Sequence, residues 1–115
     1  MIAVIFEVIP NEGKKAEYLE IAANLRPELD NIKGFISIER FQSFSDPEKV
    51  LSLSFWKDEE SIQQWRNLEM HRHAQQKGRN EVFKEYHLRI ANIVRDYGMF
   101  DRDETPEDSS EFHSK

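Results

Sequence analysis

Short apolar runs and polar stretches alternate along the first third of the chain. Residues 2–9 are apolar at odd and even positions alike, which predicts a strand that is covered on both faces. Apolar residues then recur at spacings of three and four through 14–31, which predicts a helix. Pro27 is expected to break this helix, with a short helical turn over 28–32, because proline donates no hydrogen bond and clashes with the preceding turn. Gly34 suits the exit toward the next strand.

The rest of the pattern predicts a hairpin, a second helix and a last strand. Residues 35–44 and 49–56 are two strand-like segments joined by a short turn, and so predict an antiparallel hairpin. Asp58 suits the N-cap of a helix with an acidic first turn. Residues 70–80 are expected to form a short helix and a loop, and residues 82–96 the last strand. This order is the split βαβ arrangement, so we predict an α+β, ferredoxin-like domain with a four-stranded antiparallel sheet and helices on one face.

Composition and charge narrow the function classes. The 115 residues suit a single domain, expected over 1–98. Residues 99–115 hold six acidic residues and two basic ones, or −4 of the chain's net −6, and are expected to be a flexible tail. The lack of excess positive charge disfavours nucleic-acid and anionic-membrane partners. The chain has no cysteine, and its apolar start is too short for a signal peptide, so a cytoplasmic protein is expected.

The predicted sheet also indicates a partner. Helices on one face leave the other face bare, and both faces of residues 2–9 and much of the last strand are apolar. An exposed apolar patch of several hundred Å² is more than a monomer usually carries. We therefore predict an isologous homodimer in which two sheets pack face to face.

Three segments of the chain together resemble the antibiotic biosynthesis monooxygenase (ABM) family over residues 1–98. They are IAVIFEVIPNEG, GFISIERFQSFSDPEKVLSLSFWKDEESIQQW and HRHAQQKGRNEVFKEYHLRIANIVRDYG. The most distinctive positions are 55–57, Trp65 and 95–98. The resemblance implies a dimeric α+β barrel with a small aromatic substrate between sheet and helices. It also implies a monooxygenase of a quinol-like or polyphenolic compound that needs neither metal nor organic cofactor.

The resemblance further suggests residues for the site. Trp65 matches the helix tryptophan that lines the pocket in several members, although it could equally be the core anchor of its helix. Ser61 stands one turn earlier, where the polyphenol oxygenases carry an asparagine. His71 could take a phenol proton, or it could be a solvated histidine on a polar segment. His73 is two positions away and falls on another side of a helix, so we expect no shared metal.

Phe6, Tyr86 and Arg89 complete the candidate substrate-binding set. Arg89 alternates with apolar residues on a covered face and so needs a carboxylate, for which Glu7 or Glu39 could serve.

Two other functions remain open. One is a non-catalytic dimeric module that binds a small molecule or acts in a stress response. The other is haem binding or degradation. It is the less favoured, because the haem-degrading members carry an asparagine where Phe6 or Glu7 stands, and an axial histidine near the place of Gln75.

Overall fold

A computed structural model of the chain describes residues 1–75 and 82–107, with the backbone alone at 68–75. The elements are β1 (Ile2–Pro10), α1 (Lys15–Leu29), β2 (Phe35–Gln42), β3 (Val50–Trp56), α2 (Glu59–Gln75) and β4 (Phe83–Asn92). The four strands form one antiparallel sheet in the order β2-β3-β1-β4. This confirms the predicted α+β, ferredoxin-like fold and its hairpin. No helix in the described part of the chain is long and apolar enough to cross a membrane.

Helix α1 runs through Pro27, so the predicted break there is wrong. The helix ends two residues later, at Leu29. A proline in the last turn removes only one helical hydrogen bond, the one that its own nitrogen would donate. Leu25 and Leu29 on either side of it are 5% and 1% exposed. Burial of these two leucines stabilises the final turn by more than the lost hydrogen bond costs.

Strand β4 is shorter than the predicted segment 82–96. It ends at Asn92, which pairs with Ile2 at the start of β1. The Ile93 nitrogen still donates to the Met1 carbonyl oxygen at 3.0 Å. The alternation of residues continues after that point, but β1 offers no further backbone partner. A short helix and a loop were predicted over 70–80. Residues 70–75 are helical, but they belong to the long helix α2, which ends at Gln75. Residues 76–80 lie outside the described residues.

The hydrophobic core lies between the helices and one face of the sheet. Strand β3 buries every second residue on this face, in the order Val50, Ser52, Ser54, Trp56. Trp56 is fully buried and its indole Nε1 donates to Ser54 Oγ at 2.9 Å. Large residues therefore stand at the two ends of the strand and two small serines in its middle.

A tight junction holds the start of α2 against the loop that follows α1. Gly34 has φ +98°, and its carbonyl oxygen accepts a hydrogen bond from the Lys57 nitrogen at 2.7 Å. Asp58 Oδ1 accepts from the Ser61 nitrogen at 2.9 Å, which confirms the predicted N-cap. A Cβ on Gly34 would lie 2.0 Å from Ser61 Oγ. The close approach therefore requires glycine.

The sheet face away from the helices carries apolar residues around Glu7, which pairs with Arg89 and, at 3.9 Å, with Lys49. Arg89 Nη1 donates to Glu7 Oε2 at 3.0 Å, so Glu7 supplies the carboxylate that Arg89 was predicted to need. The hydrogen bond from Arg89 and the nearby Lys49 ammonium lower the pKa of Glu7. Ile5 and Leu53 face each other beside this pair and stay partly exposed.

Replacing Gly34 by alanine should destabilise the protein through two costs. A positive φ costs about 1 kcal/mol for a residue with a Cβ, and the overlap with Ser61 Oγ adds about 2 kcal/mol. Gly13 is the matched control, because it has φ +76° but nothing within 4 Å of an added Cβ. Urea unfolding should show Gly13→Ala losing only about 1 kcal/mol. Equal losses in the two variants would show that the junction with Ser61 is not tight.

The N-cap should make stability depend on pH at the acid end. Hydrogen bonds from the Ser61 nitrogen and hydroxyl lower the pKa of Asp58 below its ordinary value of 3.8. A carboxyl with a lowered pKa stabilises the fold fully above that ordinary value, and the stabilisation is lost as pH falls through the folded pKa. Asp58→Asn keeps an accepting oxygen but cannot titrate. The stability difference between the natural protein and Asp58→Asn should therefore grow as pH rises through this window, measured by unfolding at successive pH values. A constant difference would contradict the lowered pKa.

Candidate functional site

The helix-facing side of the sheet forms the floor of a cavity of about 280 Å³. The strand register places Arg40 opposite Ser52, Ser52 opposite Phe6, and Phe6 opposite Leu88. These four side chains form one row across all four strands, and we call it the arginine row. All of them line the cavity.

A second row runs parallel to the arginine row. Ile38 faces Ser54, Ser54 faces Val4, and Val4 faces Ile90, and all four also line the cavity. The serines of β3 occupy the middle of both rows. Serine is much smaller than the aliphatic residues usual at a core position, so the space above β3 is left open.

The helices supply the roof of the cavity. Ile62, Trp65 and Arg66 come from α2, and Tyr18 comes from α1. The hydrophobic core has two clusters, one that contains Tyr18 and one that contains Trp56. Trp65 packs against both clusters and also lines the cavity. The two roles considered for Trp65 from the sequence are thus compatible in one side chain.

Aromatic rings close the β4 end of the cavity. The ring centroid of Phe6 lies 6.0 Å from that of Phe83 and 5.6 Å from that of Tyr86. The ring centroid of Tyr18, on α1, lies 5.8 Å from that of Phe83. Tyr86 is 43% exposed, which places it at the cavity mouth. Phe6, Tyr86 and Trp65 are therefore brought together, as the candidate set requires.

Two other candidates lie elsewhere, and the side chain of a third falls outside the described residues. The buried Ser61 Oγ lies 2.7 Å from the Lys33 carbonyl oxygen and 2.8 Å from Asp58 Oδ1, so its single proton is already engaged at the helix start and it does not line the cavity. Arg89 lies on the opposite face of the sheet with Glu7. The His71 backbone belongs to α2, but its side chain lies outside the described residues.

The electrostatics of the cavity depend on two arginines that the sequence interpretation missed. Arg40 and Arg66 line it, and no aspartate or glutamate does so among the described side chains. Arg40 Nε is buried and has no hydrogen-bond partner within the described part of the chain. The signal in the sequence was the alternation of β2, which puts Arg40 on the same face as Ile38. The described side chains include no group of three histidines and carboxylates that could hold a metal ion.

The cavity can thus hold and orient a small organic molecule. Its floor and aromatic end offer apolar contact, and its polar groups include the Ser52 and Ser54 hydroxyls and two guanidinium groups. Sites for small molecules typically combine a mostly apolar wall with a few polar groups that set orientation.

Comparison with known proteins finds a relative that is similar over most of this chain. The chain is 50% identical over 94 residues to a protein of Pyricularia oryzae named jasmonate monooxygenase ABM. The match covers 82% of this chain and 44% of that relative, so the chain spans less than half of the relative's length.

Solved structures share the fold at lower identity. A protein of Shewanella oneidensis superposes with a TM-score of 0.68 at 19% identity, covering 78% of this chain and 87% of that one. The haem degrader MhuD of Mycobacterium tuberculosis, with two haems bound, superposes with a TM-score of 0.65 at 22% identity, covering 85% and 100%. The sequence profile of the antibiotic biosynthesis monooxygenase family matches residues 1–77. The chain belongs to this family.

Proposed function

We propose that the chain is a monooxygenase domain that binds a small, mostly apolar organic substrate between its sheet and its helices. The observation that carries this proposal is the cavity itself, which opens where β3 places serines at core positions. A filled core at the same place would have favoured a purely structural role. The family and the relative named a jasmonate monooxygenase support the reaction class.

The proposed chemistry needs binding and orientation more than it needs a reactive side chain. For a quinol-like or polyphenolic substrate without cofactor, the phenolate donates electrons to O₂ from a ring carbon that still carries a hydrogen. A carbon–peroxide bond forms at that carbon, and the peroxide takes back a proton to become a hydroperoxide. Loss of water from the hydroperoxide then leaves a carbonyl group on that carbon. Trp65, Phe6 and Tyr86 would hold the ring and exclude water, and His71 is our proposed base for the phenol proton.

A jasmonate-like acid is a second substrate candidate, because the 50% identical relative carries that name. Hydroxylating an unactivated C–H bond with O₂ consumes two electrons that such a substrate does not supply. The assay therefore includes hydroquinones, anthrones and jasmonic acid, each with and without an added reductant.

Filling the cavity should abolish turnover. Ser52→Leu introduces a larger side chain in the middle of the arginine row, next to Phe6, and should lower oxygen uptake at least about tenfold by excluding substrate. Ser45→Leu is the same change in the exposed β2–β3 turn and should leave the rate unchanged. Oxygen uptake is followed with an electrode, and the products are identified by mass spectrometry.

The same assay separates the proposed roles. Trp65→Phe with His71→Ala should also reduce turnover while the protein stays folded. Uptake that persists in Ser52→Leu would place the reaction outside this cavity. A panel compound that binds tightly and is recovered unchanged under every condition would favour the non-catalytic binding module.

We further propose that the face away from the helices pairs with a second copy of the chain. Ile5, Leu53 and the exposed Phe41 form an apolar surface around the Glu7–Arg89 pair. Burying it between two copies removes apolar area from water, and the two-fold arrangement repeats each contact.

A charge on this surface should dissociate the dimer. Leu53→Asp places a carboxylate at its centre, whereas Phe44→Asp makes a comparable change at a fully exposed turn residue. Sedimentation should give twice the 13.7 kDa chain mass for the natural protein and Phe44→Asp, and 13.7 kDa for Leu53→Asp. A natural chain that sediments at 13.7 kDa at micromolar concentration would overturn the dimer.

A further inference from the structure

We propose that Arg40 binds the carboxylate of a small amphipathic acid whose apolar part extends along the arginine row toward β4. The proposal rests on the proposed function only in taking the cavity as the ligand site. It adds the chemical class of the ligand and the direction in which the ligand lies.

The first argument is that Arg40 lacks a partner in the described structure. Its Nε is buried, and no described residue accepts a hydrogen bond from it. Other arginines have carboxylates: Arg26 contacts Asp30 at 2.9 Å, and Arg89 contacts Glu7 at 3.0 Å. A guanidinium Nε–H removed from water without an acceptor is costly, because it loses hydration and gains no hydrogen bond in return. A bound anion would supply the missing acceptor.

The second argument is the sign of charge inside the cavity. The chain carries a net charge of −6, yet the described cavity lining holds Arg40 and Arg66 and no carboxylate. A cavity in which both described charges are positive favours an anion over a neutral ligand, since a neutral ligand would leave the buried Nε of Arg40 without an acceptor. Arg66 is exposed on α2 and stays hydrated, so a bound anion should stabilise Arg40 more than Arg66.

The third argument is the geometry of the arginine row. Arg40 stands on the edge strand β2, and Leu88 stands on the opposite edge strand β4, three strand spacings away. At about 4.8 Å per spacing, the row spans about 14 Å. Ser52 next to Arg40 offers a hydroxyl, whereas Phe6 and Leu88 offer only apolar surface.

The polarity of the arginine row therefore changes from its β2 end to its β4 end. An acid whose carboxylate lies at β2 and whose hydrocarbon part covers Phe6 and Leu88 matches this change. The planar guanidinium can donate two parallel hydrogen bonds to a carboxylate, which a lysine ammonium cannot do.

Calorimetric titration of matched acid and ester pairs tests the proposal. The probes are octanoic acid, 4-phenylbutyric acid and jasmonic acid, each beside its methyl ester, which keeps the apolar part and removes the charge. Binding is measured under nitrogen, so turnover is not needed. An enzyme that oxidises nothing in the panel can still show the acid preference, and an active enzyme can lack it.

The natural protein should bind at least one acid more tightly than its ester. Arg40→Met should weaken binding of that acid about ten- to a hundredfold, the loss expected for a hydrogen-bonded charge, and change binding of the ester less than about threefold. Arg40→Lys keeps the charge but lacks the two parallel donors of the guanidinium. Its affinity for the acid should lie between the affinities of the natural protein and of Arg40→Met. Arg95→Met, in the exposed segment after β4, is the matched control and should behave like the natural protein.

The stability of the free protein gives a second readout. Arg40→Met removes a partly buried charge whose Nε has no acceptor among the described residues, and it should leave the melting temperature of the ligand-free protein unchanged or higher. The acid should raise the melting temperature of the natural protein but not that of Arg40→Met. A merely structural arginine would lower the melting temperature when replaced.

Three results would overturn the proposal. One is that none of the acids binds more tightly than its ester. Another is that Arg40→Met weakens the acid and the ester equally. The third is that Arg66→Met, but not Arg40→Met, abolishes the preference, which would assign the carboxylate to Arg66 instead.

Discussion

The functional architecture depends on two small side chains at the centre of the sheet. Ser52 and Ser54 occupy helix-facing positions of β3, between Val50 and Trp56, which pack fully at its two ends. A sheet covered by helices is normally filled at such positions, because interiors are packed as densely as organic crystals. Here the helices are supported at both ends of β3 and separated from its middle. The cavity is thus the consequence of two serines within an otherwise apolar alternation.

The roof of the cavity is positioned by the junction at the start of α2. Asp58 caps α2, and the close contact between Gly34 and Ser61 fixes where that helix begins. Trp65 follows one turn after Ser61 and so lies above the floor. This accounts for Ser61 being buried and hydrogen-bonded without lining the cavity: it sets the position of the helix that carries Trp65.

The two faces of the sheet differ in charge and shape. The helix-facing side holds a cavity and Arg40, whose buried Nε has no acceptor among the described residues, and both are features of a ligand site. The other side holds a matched ion pair, Glu7 with Arg89, in an apolar surface. The alternation of side chains along a strand assigns neighbouring residues to opposite faces, so one short strand such as β1 contributes to both.

Local rules in the sequence determined the order of elements, the hairpin and the cap at Asp58, because each depends on residues close together in the chain. The same rules failed at Pro27 and at the end of β4. Burial of Leu29 keeps the helix intact in the first case, and the end of β1 terminates the strand in the second. The sequence also pointed to Phe6, Trp65 and Tyr86, three residues that line the cavity.

Arg40 could not be recognised from the sequence, because its significance lies in what is absent around it. A lone arginine on a strand is usually a solvated charge or half of an ion pair. Only the strand register, which aligns Arg40 with Ser52, Phe6 and Leu88, shows that it faces a shared cavity rather than solvent. Likewise, alternation put Arg89 on a covered face, but only the sheet order placed it opposite the cavity and beside Glu7. Pairing between strands far apart in the chain is set by the packing of the whole domain, so the tertiary structure alone decided which of these charges meet and which one faces the cavity.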